Sequence, residues 1–359
     1  MKLIARVKLQ PTAEQASALG KTLRCVNSAC NHISRVAWRS KTFGRYPLHQ
    51  LVYREVRSRF GLSAQLTVRA IAKVSDAYKL DRSRRRVFRF NGAIPYDDRI
   101  LSWKLGPAIV SINTLGGRLK IPFVGGAQQC ELLKTRQGES DLLWLRGQFY
   151  LSATCEVAEP LPCASSAVLG VDLGVVNLAV DSDGRIYSGQ TVNAVRTRHR
   201  RLRSQLQAAG TASAKRHLRR LSGQEKRFAQ DTNHGISKRI VALAQDTARG
   251  IAIEDLGGIR ERTTVGKAQR TQQSSWGFNQ LRRFLEYKSK RAGVVLVAVD
   301  PRNTSRTCPI CGAVDKRNRR SQSAFQCVMC GHSGLADHIA ARNIASRASV
   351  NTPIVSRVA

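Results

Sequence analysis

Four cysteines near one end of the chain constrain its folding more than any other feature. Two residues lie between Cys308 and Cys311, two lie between Cys327 and Cys330, and fifteen residues separate the pairs. This C-x₂-C-x₁₅-C-x₂-C spacing is typical of a zinc ribbon, in which four thiolates surround one Zn²⁺ in a tetrahedron. Because four thiolates leave no open position on the metal, we expect a structural zinc and not a catalytic one.

Charge is the second constraint. The 359 residues include 60 Lys and Arg against 24 Asp and Glu, a net charge of +36. Such an excess repels itself in a compact fold unless a polyanion neutralises it, so we expect nucleic-acid binding. Two arginine-rich segments are candidates for phosphate contacts, and their members are Arg82, Arg84, Arg85, Arg86, Arg196, Arg198, Arg200, Arg201 and Arg203.

The cysteine content and the first residues of the chain indicate the cellular compartment. Nine cysteines are an odd number, and the five outside the ribbon show no pairing pattern, which is typical of a reducing environment. The first residues alternate charged and apolar side chains, unlike a signal peptide, and no apolar run reaches the eighteen residues of a membrane span. We therefore expect a cytoplasmic protein, associated with the nucleoid when bound to DNA.

The first half reads as a β-domain that contains a helical insertion. Residues 2–9 alternate strictly and predict a half-buried strand. Thr12 and Gln15 form a capping box that opens helical segments reaching to about residue 80. Short β-type runs follow from 88 to 160, with one hairpin turning at Arg146 and Gly147. Strand 2–9 is expected to join this sheet in a β-barrel-like domain.

The second half reads as an α/β domain with a mixed sheet. A linker at 161–167 leads to a nearly continuous apolar strand over 168–180, which turns at 181–184 into a hairpin. Strands at 250–254 and 294–299 follow, with a basic helical segment before the first and a helix from near Ser274 before the second. The ribbon interrupts this domain before its last helix.

Three isolated carboxylates stand in the apolar elements of this second half. Asp172 lies within the strand over 168–180, Glu254 closes the next strand, and Asp337 begins the final helix. A buried carboxylate is costly unless it is paired or binds a metal. Three together favour Mg²⁺, and two such ions hydrolyse phosphodiesters. The neighbouring Asp255 is expected to point to the opposite face, and the carboxylates of 181 and 183 are expected to serve the turn.

These residues resemble the TnpB/OrfB proteins encoded by bacterial insertion sequences, which are related to the compact type V CRISPR effectors. The resemblance covers roughly 168–345 and is carried by residues 170–179, 251–256, 285–290, 299–312, 336–337 and 340–344. The first two segments resemble the first two RuvC motifs of that family. The N-terminal half is similar to the family only in its pattern of a helical insertion within a β-domain.

The resemblance implies a multidomain α+β fold. Residues 1–10 and 88–160 would form a β-barrel-like wedge (WED) domain, and 11–87 a helical recognition (REC) insertion. Residues 161–302 and 334–348 would form an RNase H-like (RuvC) α/β nuclease domain, interrupted by the zinc ribbon at 303–333 and followed by a tail at 349–359.

The implied activity is RNA-guided DNA cleavage by a transposon-encoded enzyme. Such a protein binds a guide (omega-type) RNA derived from the transposon and recognises a short target-adjacent motif. It then cuts double-stranded DNA at one RuvC site. Asp172, Glu254 and Asp337 would be catalytic and would hold Mg²⁺, two ions being expected and Mn²⁺ being a substitute. A structural Zn²⁺ would occupy the ribbon.

One departure from the family pattern and two alternative functions accompany this interpretation. The family's last motif commonly has Asn two residues before and two residues after its Asp, where this chain has Leu335 and Ile339. We expect the difference to change the support of the metal ligand and not to abolish metal binding.

The alternative functions are a nuclease-inactive repressor directed to DNA by a guide RNA, and a transposase accessory protein.

Overall fold

The computed structural model describes residues 1–162, 167–255 and 278–351, apart from the side chains at 278, 350 and 351. Cys163, the predicted helix start near Ser274 and most of the predicted tail lie outside the described residues. The chain divides into two compact units, Met1–Ala158 and Glu159–Ala359. Among the described residues, no helix is long and apolar enough to cross a membrane.

Unit 1 opens with strand β1 (Lys2–Leu9) and three helices, α1 (Ala13–Arg39), α2 (Arg45–Phe60) and α3 (Ala64–Leu80). The predicted capping box is confirmed, since the Gln15 backbone N–H donates to Thr12 Oγ1 at 3.3 Å and the Thr12 N–H donates to Gln15 Oε1 at 3.1 Å. Gly61, with a φ of 61°, ends α2 in the left-handed region that glycine adopts without strain.

The rest of unit 1 is built around one antiparallel sheet. Its further elements are β2 (Ile94–Tyr96), β3 (Leu101–Lys104), β4 (Ile109–Thr114), β5 (Gly117–Val124), α4 (Ala127–Leu133), β6 (Arg136–Leu145) and β7 (Gln148–Glu156). The seven strands lie in the order β2-β6-β7-β1-β5-β4-β3. Strand β1 pairs with β5 and β7, as the sequence predicted. A hydrogen bond of 3.0 Å from Tyr96 Oη to the Asn113 carbonyl joins β2 to β4, so the sheet is nearly closed.

The predicted hairpin between β6 and β7 is confirmed. Arg146 and Gly147 form its two-residue turn, with φ angles of 52° and 80°. Positive φ at both central residues is the geometry of a type I′ turn, whose twist matches that of the paired strands. On β1, Ala5, Val7 and Leu9 face the core and are at most 1% exposed, which is the alternation seen in the sequence.

Unit 2 contains a five-stranded mixed sheet with helices packed against it. Its strands are β8 (Val168–Asp172), β9 (Asn177–Asp181), β10 (Ile186–Ser188), β11 (Gly250–Glu254) and β12 (Leu296–Val299), in the order β10-β9-β8-β11-β12. Strands β8, β11 and β12 are parallel, whereas β9 and β10 are antiparallel to their neighbours. The helices are α5 (Gln190–Ala209), α6 (Ala212–Asp246), α7 (Phe278–Ala292) and α8 (Ala336–Asn351).

The prediction of one continuous strand over 168–180 is wrong. Strand β8 ends at Asp172, the chain turns, and β9 runs back beside β8. Gly174 makes this turn tight, because a Cβ atom there would lie 2.6 Å from the Asn177 carbonyl oxygen. Both strands are largely buried in the sheet, so their apolar residues form one nearly continuous run in the sequence. Asp172 is therefore the last residue of a strand and not a residue in its middle.

The cysteine-rich segment lies between β12 and α8. It contains a short 3₁₀ helix (Lys316–Asn318) and the antiparallel strands β13 (Ala324–Gln326) and β14 (Ser333–Leu335). Helix α8 then packs across β8, and the contact is so close at Gly170 that a Cβ atom there would lie 2.0 Å from the Ala341 carbonyl oxygen. Ile344 and Ala348 of the same helix form a buried cluster with Ala252 of β11 and Val299 of β12.

Candidate active site

Asp172 and Glu254 stand at the same edge of the unit 2 sheet. Each is the last residue of its strand, and β8 and β11 are parallel neighbours in which Val171 pairs with Ile253. Asp337 lies in the first turn of α8, the helix that packs across both strands. The carboxyl ends of parallel strands are the usual position of sites in open α/β sheets. The structure thus brings the three predicted residues to one place.

Burial and the two other carboxylates act together on the pKa of Asp172. Burial raises the pKa of Asp172 well above its usual value, and the negative charges of Glu254 and Asp337 raise it further, while Arg319 opposes them. Burial also raises the pKa of Glu254. A carboxylate in such surroundings is destabilised in its charged form unless a cation offsets the repulsion.

Three side chains that the sequence interpretation did not assign support this site. Thr304 Oγ1 donates to Glu254 Oε1 at 2.5 Å, and this bond lowers the pKa of Glu254 against the effect of burial. Asn177 Nδ2 donates to Asp337 Oδ2 at 2.9 Å. Arg319 Nη2 lies 3.9 Å from Asp337 Oδ1. Asn177 and Thr304 fall within the segments that resemble the family, but a role for either needs the fold, because their partners lie 160 and 50 residues away.

The donor set of the acidic site suits a hard divalent cation. Carboxylate oxygens are the protein ligands that Mg²⁺ prefers, and a cation would offset the repulsion at Asp172. The three groups are spaced more widely than the ribbon thiols. Within the described part of the chain, only the four cysteines place their candidate ligand atoms all within 4.8 Å of one another.

The four cysteines fit zinc. Cys308 Sγ and Cys330 Sγ are 3.6 Å apart, and Cys311 Sγ and Cys327 Sγ are 3.5 Å apart. Four sulfurs at the usual Zn–S distance in a tetrahedron would be about 3.8 Å apart. The backbone N–H of Cys330, with that of Met329 and the neighbouring thiols, donates to Cys327 Sγ, and these hydrogen bonds lower the pKa of the Cys327 thiol to about 6. The shift favours the thiolate that zinc requires.

The ribbon packs on the helix that carries Asp337. Cys308, Phe325, Cys327, Ala336 and Ile339 form one buried cluster. Ile339, which stands where the family commonly has Asn, is thus part of the ribbon's core and is 2% exposed. Leu335, at the other departing position, is 53% exposed on β14.

Asn343 ties the same helix to the base of the ribbon. Its Nδ2 donates to the carbonyls of Thr304 and Thr307 at 2.7 and 2.8 Å. Thr304 is also the hydrogen-bond partner of Glu254, so one polar network connects the ribbon, α8 and the acidic site.

Three neighbouring acidic residues have structural partners, and Asp181 has the role in a turn that the sequence predicted. Asp255 accepts from Arg282 Nη1 at 2.7 Å on α7. Asp181 Oδ1 accepts from the backbone N–H groups of residues 183 and 185, as expected of a turn residue. Asp183 pairs with both terminal nitrogens of Arg249.

The arginine-rich segments are only partly free for phosphate contacts. After α3, Arg84 and Arg85 are exposed, whereas Arg86 is half-buried and binds Asp81 at 2.8 Å. On α5, Arg203 pairs with Glu225 of α6, and burial lowers the pKa of Arg196. Of the candidate arginines on α5, those that are exposed are Arg198, Arg200 and Arg201. Arg82 lies with its Cζ 5.6 Å from the ring centre of Phe43.

Two family models match the chain. Residues 152–257 match the OrfB_IS605 model, described as a probable transposase, and residues 278–344 match the Cas12f1-like TNB domain. These matches confirm the resemblance to the TnpB/OrfB proteins that the motifs indicated.

Three relatives carry related names. The chain is 32% identical over 220 residues to the putative RNA-guided DNA endonuclease InsQ of Escherichia coli, which covers 55% of this chain and 53% of that relative. It is 30% identical over 194 residues to the CRISPR-associated endodeoxyribonuclease Cas12f1 of Syntrophomonas palmitatica, covering 49% and 38%. It is 37% identical over 114 residues to the TnpB-like protein MJ0751 of Methanocaldococcus jannaschii, covering 32% and 40%. The chain therefore matches about half or less of each relative's length.

A solved structure shares the fold. The cryo-EM structure of a Cas12f1–sgRNA–target DNA complex matches with a TM-score of 0.64 at 15% identity, covering 91% of this chain and 82% of that one. At this identity the similarity concerns the fold alone. It agrees with the predicted multidomain α+β architecture.

Proposed function

We propose that the chain is an RNA-guided DNA endonuclease whose unit 2 is an RNase H-like (RuvC) nuclease domain. One observation carries the proposal. Three carboxylates from β8, β11 and α8 meet closely enough that Glu254 and Asp337 both raise the pKa of Asp172. A cluster of like charges at the carboxyl edge of a sheet is costly for folding and useful for binding divalent cations. Relatives named as RNA-guided DNA endonucleases support the same function.

In this proposal Asp172, Glu254 and Asp337 hold divalent cations, with Mg²⁺ preferred, two ions expected and Mn²⁺ as a substitute. Bound metal of this kind supplies a nucleophilic water and stabilises the leaving oxygen of the phosphodiester. The protein's own groups prepare the ligands. Thr304 favours the ionised form of Glu254, and Asn177 fixes the orientation of Asp337. A zinc ion held by Cys308, Cys311, Cys327 and Cys330 would be structural and would hold the start of α8 in place.

The proposed partners are a guide (omega-type) RNA and double-stranded target DNA. A net charge of +36 suits a protein that binds a long RNA together with an RNA–DNA heteroduplex. Base pairing would then read the sequence, and the protein would read shape, backbone and a short target-adjacent motif. Residues 1–10 and 88–160 would serve as the wedge and 11–87 as the recognition insertion. Residues 161–302 and 334–348 would serve as the nuclease and 303–333 as the ribbon.

The test compares Asp172→Ala with Asp255→Ala. Both variants remove one carboxylate at the carboxyl edge of a parallel strand, but Asp255 pairs with Arg282 and does not belong to the acidic site. Each protein is purified with its bound RNA and incubated with target DNA and Mg²⁺. Asp172→Ala is expected to keep the RNA and lose cleavage by at least about 100-fold, since the loss of groups that merely support a metal ligand already costs 10- to 100-fold. Asp255→Ala is expected to cleave like the parent.

Equal cleavage by Asp172→Ala and the parent would contradict the assignment of the site. Absence of cleavage in all three proteins, with RNA still bound, would favour the nuclease-inactive, guide-directed repressor.

A further inference from the structure

In unit 1, side chains of α1 fix the segment that joins α3 to β2. Residues 81–93 are neither helix nor strand, yet three polar side chains of α1 hold them in place. Ser34 Oγ donates to the Arg86 carbonyl at 2.6 Å, and Asn31 both donates to the Phe88 carbonyl and accepts from its N–H at 2.8 Å. Asn27 Nδ2 donates to the carbonyls of Phe90 and Gly92. We call residues 86–92 the strap.

The hydrogen bonds set which side chains of the strap face outward. The Gly92 N–H donates to the Arg89 carbonyl at 2.8 Å, so the strap ends in a turn over residues 89–92 and does not keep the side-chain alternation of a strand. Phe88 packs inward against the core of the unit, with the ammonium of Lys73 5.0 Å from its ring centre. Phe90, by contrast, is 62% exposed although its backbone is fixed. An exposed apolar ring alone is common at protein surfaces and identifies no site.

What surrounds Phe90 makes it informative. Between the strap, α1 and the end of α2 lies a groove of about 410 Å³, which falls in the ~300–1,000 Å³ range of small-ligand sites. Two aromatic rings and four guanidinium groups line it, and they belong to Phe60, Phe90, Arg35, Arg59, Arg85 and Arg86. We call it the strap groove.

The charges of the strap groove are only partly neutralised. Arg86 binds Asp81 at 2.8 Å, and Arg59 lies 3.7 Å from Glu55, whose nearer partner is His32 at 2.9 Å. Arg35 and Arg85 are exposed, and neither has a carboxylate oxygen within 4.0 Å among the residues that the structure describes. The groove therefore carries about two uncompensated positive charges beside an exposed ring.

This pairing of groups matches one kind of ligand. Guanidinium groups bind phosphate through paired hydrogen bonds, and an aromatic face stacks on a nucleobase whose own face is free. A base inside a duplex has no free face, whereas an unpaired base has two. We propose that the strap groove binds an unpaired nucleotide of a single strand, with its base on Phe90 and its phosphate on Arg35 and Arg85. The proposal rests on the proposed function only for the origin of that strand, the guide RNA or an opened DNA strand.

The experiment measures binding of unstructured decamers of RNA and of DNA, each with one 5-iodouracil, to the full chain. Phe90→Ala is compared with Tyr46→Ala, which removes a ring that is 75% exposed on α2 outside the groove. The double variant Arg35→Gln/Arg85→Gln is compared with Arg54→Gln/Arg57→Gln, which removes two exposed charges of α2. Affinity is measured by fluorescence anisotropy over a series of salt concentrations.

The two groups should leave different signatures. Loss of one stacking contact is expected to weaken binding by roughly 5- to 150-fold and to leave the salt dependence unchanged. Loss of two phosphate contacts is expected to reduce the slope of log K against log salt by about 1.4, since each contact to a single strand contributes about 0.7. Photo-cross-linking of the parent should place the iodinated base on the strap, and the adduct should disappear in Phe90→Ala. The RNA and DNA arms show which strand occupies the groove.

The proposal is overturned if Phe90→Ala binds both decamers like Tyr46→Ala and no adduct maps to the strap. It is also overturned if an acidic peptide, and neither decamer, protects the side chains of the strap from chemical modification. The groove would then recognise a protein and not a nucleotide. These readouts need no cleavage. If the acidic site were inactive, the binding and cross-linking results would be unchanged. If the strap groove bound no nucleotide, DNA cleavage would still depend on Asp172.

Discussion

At the scale of single residues, the candidate site is a place where the fold accepts an electrostatic cost. Asp172 is held at the end of an apolar strand, and its carboxylate faces two others with one guanidinium nearby. The neutral amide of Asn177 and the hydroxyl of Thr304 orient Asp337 and Glu254 without cancelling their charge. Such an arrangement preserves negative charge for a cation, whereas a lysine or arginine at either position would form a closed salt bridge.

The cost at Asp172 predicts a stabilising substitution. The pKa of Asp172 is raised in the folded protein, so at neutral pH and above the ionised carboxylate opposes folding, and below its unfolded-state pKa it has no effect. Asp172→Asn, measured without Mg²⁺ and with zinc retained, is expected to raise the Tm at pH 8. A gain on the order of 1 kcal/mol corresponds to roughly 2–4 °C. The gain should vanish as the pH falls to about 3.

Asp255→Asn serves as the control and should not raise the Tm, because its carboxylate has an arginine partner. A lower Tm for Asp172→Asn than for the parent at pH 8 would contradict this prediction. It would show that the Asp172 carboxylate makes a stabilising contact that outweighs the repulsion.

At the scale of elements, α8 packs on β8 with very little free space between them. The backbone of the helix passes so near Gly170 that a methyl group there would lie 2.0 Å from the Ala341 carbonyl oxygen and 2.6 Å from the Ala345 nitrogen. The glycine is needed for this approach and not for its backbone angles, since its φ is not positive. Because Asp172 follows two residues later, the same contact sets the distance between the strand and helix ligands.

Gly170→Ala is expected to destabilise the protein and to abolish cleavage by moving α8. Overpacking of a well-packed core costs roughly 1–3 kcal/mol and at times more. Gly250→Ala on the neighbouring strand is the matched control, because the nearest atom to its Cβ would be 3.4 Å away. Thermal unfolding and hydrogen exchange across α8 are the measurements. Wild-type exchange in α8 of Gly170→Ala would refute this account of the packing.

The ribbon acts on the site through the same helix. Cys308 and Cys327 share a buried cluster with Ile339, which lies on α8 two residues beyond Asp337. Cys308→Ser is expected to lose one zinc per chain and to increase hydrogen exchange over residues 324–340, because ligands and fold are coupled in such sites. Cleavage should fall although no residue of the acidic site has changed.

Cys130→Ser is the control, since Cys130 is an exposed free thiol of unit 1. Full zinc content in Cys308→Ser would show that the four sulfurs are not the metal site, and normal exchange at α8 would separate the ribbon from the helix.

At the scale of the whole molecule, the sequence predicted the elements whose signals are local. The capping box at Thr12 and the turn at Arg146 follow from side-chain and backbone preferences within a few residues. The end of β11 at Glu254 was visible because a charged residue closes an apolar run. The break after Asp172 was not visible, since two buried strands in succession give one apolar run and only Gly174 marks the turn.

The sequence predicted the acidic members of the candidate site but not the residues that bind to them. Carboxylates in apolar elements are conspicuous at any position. Asn177, Thr304 and Arg319 are ordinary polar residues in the sequence, and their importance arises from contacts across 50 to 160 residues or from a neighbour in space. The strap groove was missed for the same reason, because Asn27, Asn31 and Ser34 look like an ordinary polar stripe on α1 until the strap lies across them.

The position of Asp337 on α8 has a consequence for the order of events during synthesis. Asp172, Glu254 and Asp337 are separated by 82 and 83 residues, so the acidic site needs three distant parts of the chain. A nascent chain that has passed β11 already carries the exposed arginines of α5 and the strap groove. Under the proposed function it would bind nucleic acid before the third carboxylate is synthesised. Ribosome-bound or prematurely terminated chains would thus hold RNA without cutting DNA, and the ability to cut would arise only when α8 docks on β8.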